Sequence, residues 1–194
     1  QGVGLVVGAG PIGLLAALIG VQRGVDVHVF DRVTTGPKPA LVEELGDVYH
    51  TGTVAELGLS PDIVVECTGV GSLVQQVAAA VAPGGIVCLT GVGAPSTSTA
   101  GPASSLATEA VLKNLVLFGS VNANRRHYYR AAKVLDKADR SWLEQIVMRR
   151  VRPDDVLGNR QAILGHAIAV QRAKCILVAL LFVRGPVTFH RALV

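Results

Sequence analysis

The sequence predicts a doubly wound α/β fold over residues 1–150: a parallel six-stranded sheet flanked by helices. Three observations carry this expectation. Short apolar, β-prone runs alternate with helical stretches from Val3 to about Gly119, as parallel βα units with right-handed crossovers require. The first run ends in the glycine-rich turn Gly8-Ala9-Gly10-Pro11-Ile12-Gly13. The second ends in an acid, Asp31, 21 residues beyond Gly10. That order of strand, glycine turn, helix, strand and acid is the arrangement of a dinucleotide-binding half-domain.

Taken in order, Val3–Val7 is the first strand, and the glycine turn opens an apolar helix reaching about Arg23. Val27–Phe30 is the second strand. Pro39 can open a helix running to Leu45, because proline's missing N–H costs nothing in a first turn. A short strand follows near Val48–His50. Ile63–Glu66 is the fourth strand, Ser72–Val81 a helix closed by Pro83-Gly84-Gly85, and Ile86–Thr90 the fifth strand. Gly93–Ser105, rich in Ser, Thr, Pro, Ala and Gly, reads as a loop. A helix over about Ser105–Lys113 leads into a sixth strand, Val116–Gly119. A helix over about Arg126–Leu135 follows. Ser141 and Glu144 are spaced as a capping box for another helix, with Trp142 as a packing residue. Residues 151–194 form a C-terminal extension, apolar, basic and expected to be helical.

Composition narrows the function. The 194 residues allow one domain with a sizeable core and not two full ones. Half the residues are hydrophobic and 16% are charged, which suits buried parallel strands. Four Phe, three Tyr and one Trp are too few for a base-stacking surface. The net charge of +4 arises entirely beyond residue 150, so the fold itself carries no basic excess for nucleic acid. No CxxC pair links Cys67, Cys88 and Cys175, which speaks against a closed zinc site and fits a reducing cytoplasm. No charged-then-apolar leader opens the chain. The apolar run Cys175–Val183 has nine residues, against about 20 for a bilayer span. No nucleic acid or membrane partner is expected.

The candidate ligand is a nicotinamide dinucleotide. Gly8 permits the tight turn after the first strand, Gly10 lets the backbone approach the pyrophosphate, and Gly13 lets the helix pack against the sheet. The helix N-terminus offers amides and a favourable dipole to phosphate. Asp31 can accept both hydroxyls of an adenosine ribose, which favours NAD. Arg32 could instead bind a 2′-phosphate, so NAD and NADP both stay open. Thr34, Thr35 and Lys38 could assist a phosphate or form a polar loop. Thr68 and Gly69 after the fourth strand, and Gly91 and Val92 after the fifth, fall on the nicotinamide side. Asn122, within the polar cluster after the sixth strand, could face substrate or nicotinamide, or belong to a solvated helix start. His127 lacks a paired acid or nucleophile. Glu66 could bind through water or orient a backbone group. No catalytic triad, carboxylate pair or metal-ligand cluster is legible, so no residue is assigned to catalysis or to a metal.

These residues are part of a longer match. GAGPIGLLAAL (Gly8–Leu18), GPKPALVEELG (Gly36–Gly46), VVECTGV (Val64–Val70), GSVNANRRHY (Gly119–Tyr128) and DRSWLEQI (Asp139–Ile146) resemble the archaeal-type glucose 1-dehydrogenases. Those enzymes belong to the zinc-containing medium-chain alcohol dehydrogenase superfamily. The resemblance covers about residues 3–152 and concerns the nucleotide-binding domain. It implies a Rossmann fold that aims NAD or NADP at C1 of glucose or a similar aldose, with the lactone as product. It also implies that Gly8, Gly10, Pro11, Ile12 and Gly13 line the pyrophosphate, that Asp31 and Arg32 meet the adenosine ribose, and that Thr68, Gly69 and Asn122 approach the nicotinamide or sugar. Zinc is expected only in a catalytic domain outside this chain, so the chain alone would bind cofactor without turnover. The superfamily's habit of pairing through its edge strand implies a homo-oligomer. The alternative is a non-catalytic NAD(P)-binding or redox-sensing module.

Overall fold

A computed structural model of the chain describes residues 2–93 and 103–147. Six strands lie in one sheet: β1 (Val3–Val7), β2 (Asp26–Phe30), β3 (Val48–His50), β4 (Ile63–Glu66), β5 (Ile86–Leu89) and β6 (Val116–Gly119). The helices are α1 (Pro11–Gln22), α2 (Pro37–Glu44), α3 (Gly71–Ala80), α4 (Ala103–Leu112), α5 (Arg125–Asp136) and α6 (Arg140–Ile146), with a 3₁₀ turn at Val54–Leu57.

All five pairings are parallel, in the order β3-β2-β1-β4-β5-β6. This is the doubly wound Rossmann arrangement. Its register aligns Val7 with Phe30 and Glu66, and Glu66 with Leu89. The carboxyl ends of β2, β1, β4 and β5 therefore stop along one edge.

Strand side chains alternate between two cores, as a period of two demands. Val6, Val27, Val29 and Val65 pack with α1, α2 and α6 on one face. Leu5, Val7, Phe30, Val64 and Val87 pack on the other, with Val77 of α3 and Val54 of the 3₁₀ turn. Helix α1 is buried on almost every side, which explains its nearly unbroken apolar sequence. Trp142 is the packing residue expected: it is 2% exposed, and its Nε1 donates to the Leu41 carbonyl at 2.8 Å, fixing α6 on α2.

Several expected element ends shift. Helix α2 starts at Pro37, with Pro39 inside the first turn, where neither proline removes an intrahelical bond. The Ser141–Glu144 box does not form. Asp139 caps α6 instead, its Oδ1 accepting the amides of Ser141 at 2.7 Å and Trp142 at 3.1 Å. A carboxylate two residues upstream reaches the free first-turn amides, leaving Glu144 to pair with Arg140 one turn away. Most of the loop expected at Gly93–Ser105, and the whole extension at 151–194 with its expected helix, lie outside the described residues.

Candidate dinucleotide site

The site is built at the switch point between β1 and β4, where neighbouring connections leave the sheet in opposite directions. The turn after β1 is fixed by close packing. Gly8 has φ +101, a left-handed conformation that side chains disfavour, and its amide donates to the Phe30 carbonyl at 2.7 Å. A Cβ on Gly13 would collide with the Gly8 carbonyl, so α1 can leave the strand this tightly only with glycine there.

Gly10 differs. Its φ of −81 is ordinary, and a Cβ there would meet no heavy atom of the described residues within 4 Å. Neither conformation nor packing among the described residues requires glycine at this position. It is the N-cap of α1, and no side chain caps that helix. Pro11 occupies the first turn, where its missing N–H is no loss. Ile12 turns into the core at 7% exposure, so only its backbone faces the helix end. An uncapped N-terminus beside an open glycine suits a phosphate group.

Asp31 follows β2 and is almost fully engaged. Its Oδ2 accepts the Ala9 amide at 2.7 Å and Lys38 Nζ at 2.8 Å, and its Oδ1 accepts the Val33 amide at 3.1 Å. Burial raises its pKa, but Lys38 and the two amides outweigh burial and hold it below the usual carboxylate value. The loop is braced from β3: Tyr49 Oη donates to the Val33 carbonyl at 2.7 Å. Burial, with Asp31 adding repulsion, pushes the Tyr49 phenol up to about 12, so it remains a donor. Arg32, Thr34 and Thr35 are exposed. Lys38 is the partner that sequence reasoning left among general polar residues.

At the ends of β4 and β5, Glu66 organises the backbone. It is 1% exposed and accepts the Thr68 amide at 2.7 Å, the Thr68 hydroxyl, and the Gly69 amide at 2.9 Å. Of its two expected roles, the structure shows the backbone-orienting one. Gly69 and Gly91 approach each other so closely that a Cβ on either would strike the other loop's backbone. Their small size therefore serves loop-to-loop packing. Val92 is 59% exposed beside them. The Cys67 thiol is pushed up to about 12, chiefly by burial, and is no nucleophile.

Asn122 is exposed in the connection from β6 to α5. Three strand spacings, about 14 Å, separate β6 from β1, so Asn122 belongs to the far end of the edge. His127 has a local role that sequence reasoning missed. Its amide donates to Asn124 Oδ1, and its Nδ1 accepts the Asn124 amide, both at 3.2 Å, closing the N-terminus of α5. Burial and the nearby Arg130 and Arg126 lower its pKa. Among the described residues, no three His, Cys, Asp or Glu are grouped to hold a metal ion. The described residues thus supply no donor set for zinc.

Comparison with known proteins agrees with this geometry. The family model described as glucose dehydrogenase C-terminus matches residues 2–161. The chain is 44% identical over 138 residues to glucose 1-dehydrogenase of Thermoproteus tenax, covering 71% of this chain and 40% of that protein. It is 35% identical over 162 residues to glucose 1-dehydrogenase of Methanocella arvoryzae, covering 78% and 45%. The crystal structure of glucose dehydrogenase from Haloferax mediterranei superposes with a TM-score of 0.66 at 28% identity, covering 74% of this chain and 43% of that one. The same enzyme has been solved in complex with NADP, Zn and gluconolactone. The chain spans about two fifths of the length of these relatives. With its strand order, glycine turn and matched span in agreement, the chain belongs to the glucose dehydrogenase C-terminus family.

Proposed function

We propose that this chain is the nucleotide-binding part of a glucose 1-dehydrogenase-like oxidoreductase, holding NAD or NADP for oxidation of an aldose at C1. The observation that carries the reading is Gly10, a glycine that packing among the described residues does not require, at the uncapped N-terminus of α1. Gly10, Ile12 and Gly13 would offer backbone amides to the pyrophosphate, while Gly8 and Pro11 shape the turn that lines it. Asp31 and Arg32 would bind the adenosine ribose or its 2′-phosphate. Thr68, Gly69, Gly91 and Val92 would set the nicotinamide side, with Asn122 toward the sugar. When bound, the nicotinamide supplies a two-electron acceptor; the residues of this chain bind and orient it. Zinc, which would polarise the sugar oxygen, would be held by a catalytic domain outside this chain. The sugar class rests on the relatives, five of which in distinct organisms are glucose 1-dehydrogenases at 32–44% identity. A cytoplasmic homodimer completes the reading.

Calorimetric titration with NADH and NADPH tests it. The wild-type chain should bind at least one saturably. Gly10→Val should weaken binding at least tenfold, about 1.4 kcal/mol, with little change in thermal stability. Gly13→Ala should instead destabilise the fold through its collision with Gly8. A folded wild-type chain that binds neither nucleotide would end the proposal.

A further inference from the structure

Asp31 is less available to a ribose than its position implies. An ionised carboxylate offers about four acceptor positions. Three are taken within the chain: Ala9 N at 2.7 Å and Lys38 Nζ at 2.8 Å on Oδ2, and Val33 N at 3.1 Å on Oδ1. One position remains, whereas gripping both ribose hydroxyls needs two. The two amide bonds are part of the frame. One ties Asp31 to the glycine turn; the other belongs to the loop braced by Tyr49. The lysine is the partner that can leave, since it sits on a flexible four-carbon stem.

We infer that Lys38 is a specificity-determining residue, neutralising Asp31 so that the chain accepts a nucleotide carrying a 2′-phosphate. This rests on the nucleotide-binding reading above. Lys38 lies in the first turn of α2, directly after the loop that follows β2. Its side chain is 25% exposed and that of Asp31 10% exposed. The lysine is therefore the more accessible member of the pair. A 2′-phosphate arriving at this ribose would meet the ammonium in front of a compensated carboxylate. Its charge would then be attracted rather than repelled, with Arg32 exposed alongside. A 2′-hydroxyl would take the one vacant carboxylate position, or displace Lys38 and take two. The same ion pair thus admits both nucleotides and tilts the balance toward the phosphorylated one.

The test is calorimetry with NADPH and NADH on the full chain, comparing wild type with Lys38→Gln and Lys38→Arg. Glutamine removes the cation and uncovers the Asp31 charge. It should raise the Kd for NADPH at least tenfold and change that for NADH less than threefold, or tighten it. Arginine keeps the charge and should hold the ratio of the two affinities within threefold of wild type. If Lys38→Gln weakens both nucleotides by the same factor, or leaves the ratio unchanged, Lys38 only braces the loop and the inference fails while nucleotide binding stands. If the folded wild type binds neither nucleotide, both readings fall together.

Discussion

Asp47 shows how one side chain can make stability depend on pH. It follows α2, and its Oδ2 is buried with no hydrogen-bond partner among the described residues. Burial, aided by repulsion from Asp26, raises its pKa to about 7. The folded chain thus keeps the Asp47 proton up to about pH 7, whereas the unfolded carboxyl releases it near 4. The stabilisation is fully present below the unfolded value and is lost as pH rises from about 4 through 7. Asp47→Asn supplies a neutral polar group at every pH. It should match wild type in melting temperature near pH 4 and exceed it at pH 8. Water screening of this half-exposed group limits the gain to about 1 kcal/mol. A gap that is flat from pH 4 to 8 would show that Asp47 stays ionised in the fold.

At the scale of elements, the strand-end loops are held from inside the sheet. Glu66 gathers the donors of Thr68 and Gly69, while its own backbone carbonyl accepts the amides of Thr90 and Gly91. Glu66→Gln would leave one acceptor oxygen and turn an NH2 group toward these donors. The expected cost is about 1–3 kcal/mol, with faster hydrogen exchange at the Thr68 and Gly69 amides. Unchanged exchange there would mean that the Gly69–Gly91 packing alone holds the loops. β1, β3, β4 and β6 were legible to the residue, because their apolar runs are bounded by turn residues. Helix starts were less so: Pro37 and Pro39 are equally good openers, and Asp139 competes with Ser141 for the same amides. The 3₁₀ turn at Val54–Leu57 had a readable signal in Thr53 and Glu56, which form a capping box. The glycine turn was legible because its spacing is geometric. The Lys38–Asp31 pair was not, and the grip of Glu66 was legible only as one of two alternatives, since both depend on side-chain direction after the chain has turned.

At the scale of the whole molecule, the sheet of the described residues has two edges, and they differ. β3 has only three residues, with Tyr49 and His50 half-buried. β6 has four, pairs among the described residues only with β5, and leaves Val116 48% exposed. Nearby α4 presents Val111 and Leu112 at 74% and 75% exposure. A strand edge that no described residue covers invites pairing with another chain, and a two-fold axis there would let the sheet continue into a second copy. We therefore place the proposed homodimer contact at β6, away from the candidate nucleotide site at β1 and β4. Light scattering should give about twice the chain mass of 20.1 kDa for the wild type at micromolar concentration. Val116→Lys should shift it to monomer, since a charge on the edge opposes pairing, while NADH and NADPH affinities stay within about threefold, roughly 0.7 kcal/mol. A monomeric wild type would remove the dimer from the proposal. A dimer that survives Val116→Lys would move the interface elsewhere. Loss of nucleotide binding together with the dimer would show that the edge and the switch point are coupled through β4 and β5.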